Sequence, residues 1–138
     1  MKILILDDDE IICRKAPSYM VDGKDFTQAD ITQVNNVTSF FVIFNQDRIW
    51  DEIWLDNDLG DSDYTNTGIA CSRELAAMFH ENPLTTVGKF RVTTMNNVAQ
   101  NVIADNLTQT GAVICISPIS FMEQYGVSRG NRFIPKTN

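Results

Sequence analysis

The sequence predicts a doubly wound α/β domain in which a five-stranded parallel sheet forms the middle layer of a three-layer sandwich. Three observations carry this expectation. Short apolar runs alternate along the chain with amphipathic stretches of helical period, the pattern of repeated strand–helix units. The runs are apolar at consecutive positions, as in residues 3–6 and 112–116, so both faces of each strand need a cover. Three of the runs end on polar residues, namely Asp7-Asp8, Asp56 and Thr93-Thr94.

Taken in order, Lys2 to Leu6 reads as a buried central strand with three aspartates directly behind it. A first helix is expected from about Asp9 to Val21, with Ile12, Cys13, Ala16 and Met20 on its inner side and Pro17 kinking or shortening it. Ile31 to Val34 is a weak second strand. Asn36 is placed to cap a helix from Val37 to about Gln46, because Val37, Phe40, Phe41 and Phe44 fall at i, i+3, i+4 and i+7. Glu52 to Leu55 gives a third strand that ends on Asp56. The polar stretch Gly60 to Thr67 reads as a long exposed loop, and a helix from about Gly68 to His80 stops before Asn82-Pro83. Phe90 to Thr94 is the fourth strand. Asn96 or Asn97 caps a helix that carries Val98, Val102, Ile103 and Leu107. Ala112 to Ile116 is the fifth strand, ended by Ser117-Pro118, and a short last helix follows. The domain is expected over residues 1–125, with 126–138 as a loosely ordered tail made cationic by Arg129, Arg132 and Lys136.

The 138 residues suit one domain with a real core, and 43% apolar with 21% charged residues is an ordinary globular composition. The net charge of −7 repels polyanions and disfavours broad nucleic-acid binding. Cys13, Cys71 and Cys115 lack the pairing of a disulfide framework or a structural zinc site, and read as small, mostly buried hydrophobes. The opening run MKILIL is too short for a signal-peptide core or a membrane span, so a cytoplasmic location without membrane partners is expected.

Ligands of open parallel sheets bind beyond the carboxyl ends of the strands, where the winding reverses. If the first and third strands are neighbours, Asp7, Asp8 and Asp56 meet there. Such a trio cannot stay ionised without a cation or raised pKa values, and Mg2+ is the hard oxygen-seeking ion that suits it. An Asp beside Mg2+ is also a candidate phosphoryl acceptor. His80, expected at the end of a helix, reads as a partner of the helix dipole rather than a catalyst, and Trp50, Trp54 and the phenylalanines read as core.

The segments LILDDDE, IWLDNDLG, VTTMN and CISP resemble the receiver domain of two-component response regulators over roughly residues 1–120. The resemblance implies a flavodoxin-like, receiver-like sheet, a metal-binding pair at Asp7 and Asp8, a phospho-acceptor at Asp56, and a phosphoryl-contacting hydroxyl at Thr94. Where that family has a Lys before a Pro, this chain has Ser117. The sequence is more similar to the cyclic-phosphate-processing receiver-like branch, whose LD-His-DLG and His-Ser-Met-Asn motifs correspond to residues 55–60 and 93–96; Asn57 and Thr93 stand in place of the two histidines. That loss weakens the expectation of a phosphoester or cyclic phosphate hydrolase, because such chemistry commonly uses a group that exchanges protons near neutral pH.

The expected function is therefore binding or processing of a phosphate-bearing ligand, with Asp56 as the catalytic candidate. Asp7, Asp8 and Asp56 would hold Mg2+, and Asn57, Asp58, Thr93, Thr94, Asn96 and Ser117 would contact the ligand. The alternatives are a stand-alone receiver phosphorylated on Asp56, and a non-catalytic pseudo-receiver that binds a protein partner.

Overall fold

The computed structural model describes residues 1–10, 12–18, 20–21, 24–124, 127–129 and 132–134. In chain order the elements are β1 (Lys2–Leu6), α1 (Ile12–Lys15) with a 3-10 turn (Ala16–Ser18), β2 (Met20–Val21), β3 (Lys24–Asp25), β4 (Asp30–Val34), α2 (Val37–Gln46), β5 (Trp50–Leu55), α3 (Gly68–Met78), β6 (Val87–Val92), α4 (Asn97–Thr108), β7 (Ile114–Ile116), α5 (Ile119–Gln124), β8 (Val127–Arg129) and β9 (Arg132–Ile134). Five of the strands form one sheet in the order β4-β1-β5-β6-β7, and every pairing in it is parallel. This is the expected flavodoxin-like α/β arrangement. The winding reverses at β1, which has β4 on one side and β5 on the other.

The apolar runs are divided between two layers by strand alternation. Leu4, Leu6, Ile53, Leu55, Phe90 and Val92 pack under Phe40, Phe44, Leu75, Ile103 and Leu107, from α2, α3 and α4. Ile3, Ile5 and Trp54 point the other way, into a smaller cluster with Ile12, Ala16, Phe26 and Met122. Both tryptophans are buried, as expected. Asn36 caps α2 by accepting a hydrogen bond from the Ser39 amide at 2.8 Å, and α2 buries the four residues its period singled out.

The first helix is the main departure. Instead of running to Val21, its α-turns end at Lys15 and give way to the 3-10 turn that contains Pro17. Proline lacks the amide a continuing helix needs, and its ring clashes with the carbonyl four residues back. Next, β2 pairs antiparallel with β3, and the sequence between them is Asp22-Gly23, a favoured two-residue hairpin dipeptide. Two strands start earlier than expected, at Trp50 and Val87; the fourth ends at Val92, so Thr93 and Thr94 lie just past it. In the tail, β8 and β9 pair antiparallel where loose order was expected. The side chains of Cys13, Met20, Arg129 and Arg132, and residue Lys136, lie outside what the structure describes. No helix among the described residues is long and apolar enough to cross a membrane.

Candidate metal and ligand site

The parallel ladder sets the height of each polar strand end. The Asp7 amide donates to the Val34 carbonyl, that of Asp56 to Leu6, that of Thr93 to Leu55, and that of Ser117 to Val92, all at 2.9–3.0 Å. Each residue thus continues its strand by one rung and stops at the same edge. Asp7 and Asp56 arrive side by side at the reversal point, where such a sheet opens a crevice.

Asp7, Asp8 and Asp56 each offer a carboxylate oxygen, and the three oxygens lie within 4.8 Å of one another. Burial raises the Asp7 carboxyl from 3.8 to about 6, aided by the charges of Asp8 and Asp9 and opposed by a hydrogen bond from the Asp9 amide. Burial also raises Asp56, to about 7, and the charge of Asp7 adds to it; a hydrogen bond from the Asn57 amide opposes the rise. Three hard oxygen donors this close together, two of them with raised pKa values, form a fitting set for a divalent cation.

Around them opens a cleft of about 380 Å³, lined also by Asp9, Ile12, Asp58, Gly60, Thr93, Thr94, Met95, Asn96 and Ile119. Its described residues include no Lys, Arg or His. Gly60 has φ +85°, and a Cβ there would lie 2.8 Å from the Asp8 carboxylate. Glycine therefore both permits the left-handed turn and lets the loop close onto the acidic cluster. At Gly68 a Cβ would come within 2.1 Å of the Asp56 carbonyl, so the absent side chain lets α3 start directly against the end of β5.

The threonines differ. Thr94 accepts a hydrogen bond from the Asn96 amide at 3.2 Å, and Asn96 in turn caps α4 by accepting from the Ala99 amide. Thr93 is only 2% exposed, and among the described residues its hydroxyl has no hydrogen-bond partner. A buried polar group in that condition is rare and costly. The residue lines the cleft.

Of the residues expected to contact a ligand, the structure brings Asp58, Thr93, Thr94 and Asn96 to the cleft. Two are engaged elsewhere. The Asn57 side chain accepts from the Ile69 amide at 3.2 Å and anchors the start of α3. Ser117 is buried; its hydroxyl accepts from Arg91 at 3.1 Å and donates to the Cys115 sulfur at 3.4 Å. His80 is exposed, just past α3, and is not part of the cleft. Sequence reasoning did not single out Gly60, Met95 or Ile119, although Gly60 falls in the quoted LDNDLG stretch and Met95 in VTTMN.

A wider groove, about 600 Å³, runs between α2 and the loop that carries Asp61 and Asp63. The loop's two carboxylates are spent within it: Asp61 accepts from the Asp63 amide and Asn66, and Asp63 from the amide and hydroxyl of Thr65. The acidic cleft is the stronger site. Comparison with family models gives no match for this chain, and neither does comparison with curated proteins.

Proposed function

We propose that this domain binds Mg2+ through Asp7, Asp8 and Asp56, and with it a phosphate-bearing ligand in the adjoining cleft. The observation that carries the reading is the pairing of an uncompensated carboxylate trio with the unpartnered buried hydroxyl of Thr93. Among the described residues no cationic side chain lines the cleft beside the trio and no acceptor meets the hydroxyl; a metal-bound phosphate would supply both. Mg2+ fits because it is hard, takes few carboxylates and keeps several waters; bound, it would draw in an anion and polarise a phosphoryl oxygen. The protein's own part is to hold the carboxylates at one edge, to donate from Thr93, and to shape the rim with Thr94, Asn96 and Asp58.

Calorimetry tests this directly. Mg2+ should bind the wild type and fail to bind Asp56→Asn, and inorganic phosphate should bind only once Mg2+ is present. A wild type that takes up no Mg2+ overturns the reading.

A second reading has Asp56 accept a phosphoryl group, as the resemblance to receiver domains implies. Its place at the end of the middle strand beside Asp7 favours this. A small phosphodonor should then leave an acid-labile adduct on the wild type and none on Asp56→Asn. The lack of a cationic partner among the described cleft residues, with Ser117 turned toward Arg91, makes ligand binding the better supported of the two.

A further inference from the structure

The cleft has a wall that a bare phosphate does not need. Beside the carboxylates it is lined by Ile12, Met95 and Ile119. Ile12 and Ile119 belong to the smaller core layer, so their presence at the floor follows from the fold. Met95 does not: it is 55% exposed and lines a strongly acidic pocket. The Ser120 hydroxyl donates to the Met95 sulfur at 3.1 Å, a weak bond at an exposed site. The Ile119 amide donates to the Thr93 carbonyl at 3.0 Å. The apolar wall and the unpartnered Thr93 hydroxyl are therefore tied to the same strand end.

We infer that the ligand is an organic phosphate ester, with its phosphate at the metal and Thr93 and its apolar or aromatic group against Met95 and Ile119. The inference rests on the proposed function and narrows its ligand class. An apolar wall facing a few convergent polar groups is the usual composition of a small-molecule site, and the cleft of about 380 Å³ lies within the ordinary range of roughly 300–1,000 Å³. An unbranched thioether adapts to a flat ring and makes favourable sulfur–aromatic contacts. The exposed thioether is then apolar surface that the ester covers.

The test uses the full chain saturated with Mg2+ and titrated by calorimetry with inorganic, methyl and phenyl phosphate. Phenyl phosphate should bind about tenfold tighter than methyl phosphate, the discrimination one apolar group commonly gives. Met95→Ala should bring the two esters to within about twofold of each other, and Met95→Leu should keep most of the preference. Equal affinities in the wild type overturn the inference while leaving the proposed function intact, provided inorganic phosphate binds. An equal loss for both esters in Met95→Ala also overturns it. If none of the three binds, the proposed function fails and this inference fails with it.

Discussion

Two groups of charged side chains lie along the same side of the sheet, one fully buried and one with Asp7 buried, Asp56 half-buried and Asp8 exposed, and the chain treats them in opposite ways. In the first group, Glu52 and Arg91 are fully buried. The Arg91 Nε donates to Glu52 Oε1 at 2.6 Å and Nη2 to Oε2 at 3.2 Å, while the Trp54 indole donates to Oε1 at 2.9 Å. A further nitrogen of Arg91 reaches Ser117. Beyond the end of β5, at the C-terminal edge, Asp7, Asp8 and Asp56 converge with no such cation among the described cleft residues. A buried charge that the chain pairs for itself is architecture; an acidic cluster with no such pairing among the described residues is what the proposed function assigns to a metal.

The largest effect that can break this contrast is in the first group. Arg91→Met leaves the Glu52 carboxylate buried without its bidentate partner, which should cost about 3–5 kcal/mol in urea unfolding. Replacing both residues, Glu52→Leu with Arg91→Met, should recover most of that loss, because a well-packed apolar pair is commonly as stable as the ion pair it replaces. The second group should respond with the opposite sign. Asp56→Asn relieves repulsion, so the metal-free protein should melt roughly 3–5 °C higher, the equivalent of about 1 kcal/mol after allowing for solvent access. The same variant should lose the thermal stabilisation that Mg2+ gives the wild type. An Asp56→Asn protein that melts lower without metal would make the cluster architecture too.

Acidity sharpens the comparison. Asp7 and Asp56 titrate near 6 and 7 in the folded chain, against 3.8 when unperturbed. Between those values the folded state holds protons that the unfolded state has released. Stability contributed by these groups is therefore full below 3.8, falls as pH rises through the folded values, and is level above them. Asp47 and Asp63, held down by hydrogen bonds from Lys2 and Thr65, act in the other direction but only below 3.8. In chelator, melting temperature should decline from pH 5 to pH 8, and Asp56→Asn should flatten that decline. Mg2+ competes with the protons, so its stabilisation should be larger at pH 8 than at pH 5. A chelated wild type with no decline across this range would contradict the raised values.

What the sequence made legible follows the same division. The acidic trio could be read because a parallel sheet brings its strand ends to one edge, so Asp7 and Asp56 needed only adjacent strands to meet. Asn36 and the phenylalanine spacing of α2 were legible because helix caps and the helical period are local signals. The Glu52–Arg91 pair was not: its members are 39 residues apart, and each interrupts the apolar pattern of its own strand. Glu52 looked like a strand start and is a buried interior position. The expected first helix runs too far because its apolar period continues past Pro17, whereas β2 and β3, which replace its end, depend on pairing with each other. Asn57 and Ser117 are polar residues of suitable type beside the motifs. Only tertiary contacts, to Ile69 and Arg91, turn them away from the cleft.

The finest version of the contrast lies within a single dipeptide. Thr93 and Thr94 are equally buried, at 2% each, yet among the described residues one hydroxyl is hydrogen-bonded and the other is not. Thr94→Val removes the acceptor of the Asn96 amide and should cost about 1 kcal/mol. Thr93→Val replaces an unpartnered buried hydroxyl with a methyl group of similar shape, so the metal-free protein should become more stable by about 1 kcal/mol. In the presence of Mg2+, Thr93→Val should weaken inorganic phosphate about tenfold, the worth of one hydrogen bond to a charged acceptor. Chemical denaturation and calorimetry on the two variants separate the cases: a destabilised Thr93→Val with undiminished phosphate affinity would mean that this hydroxyl serves the fold, not the ligand.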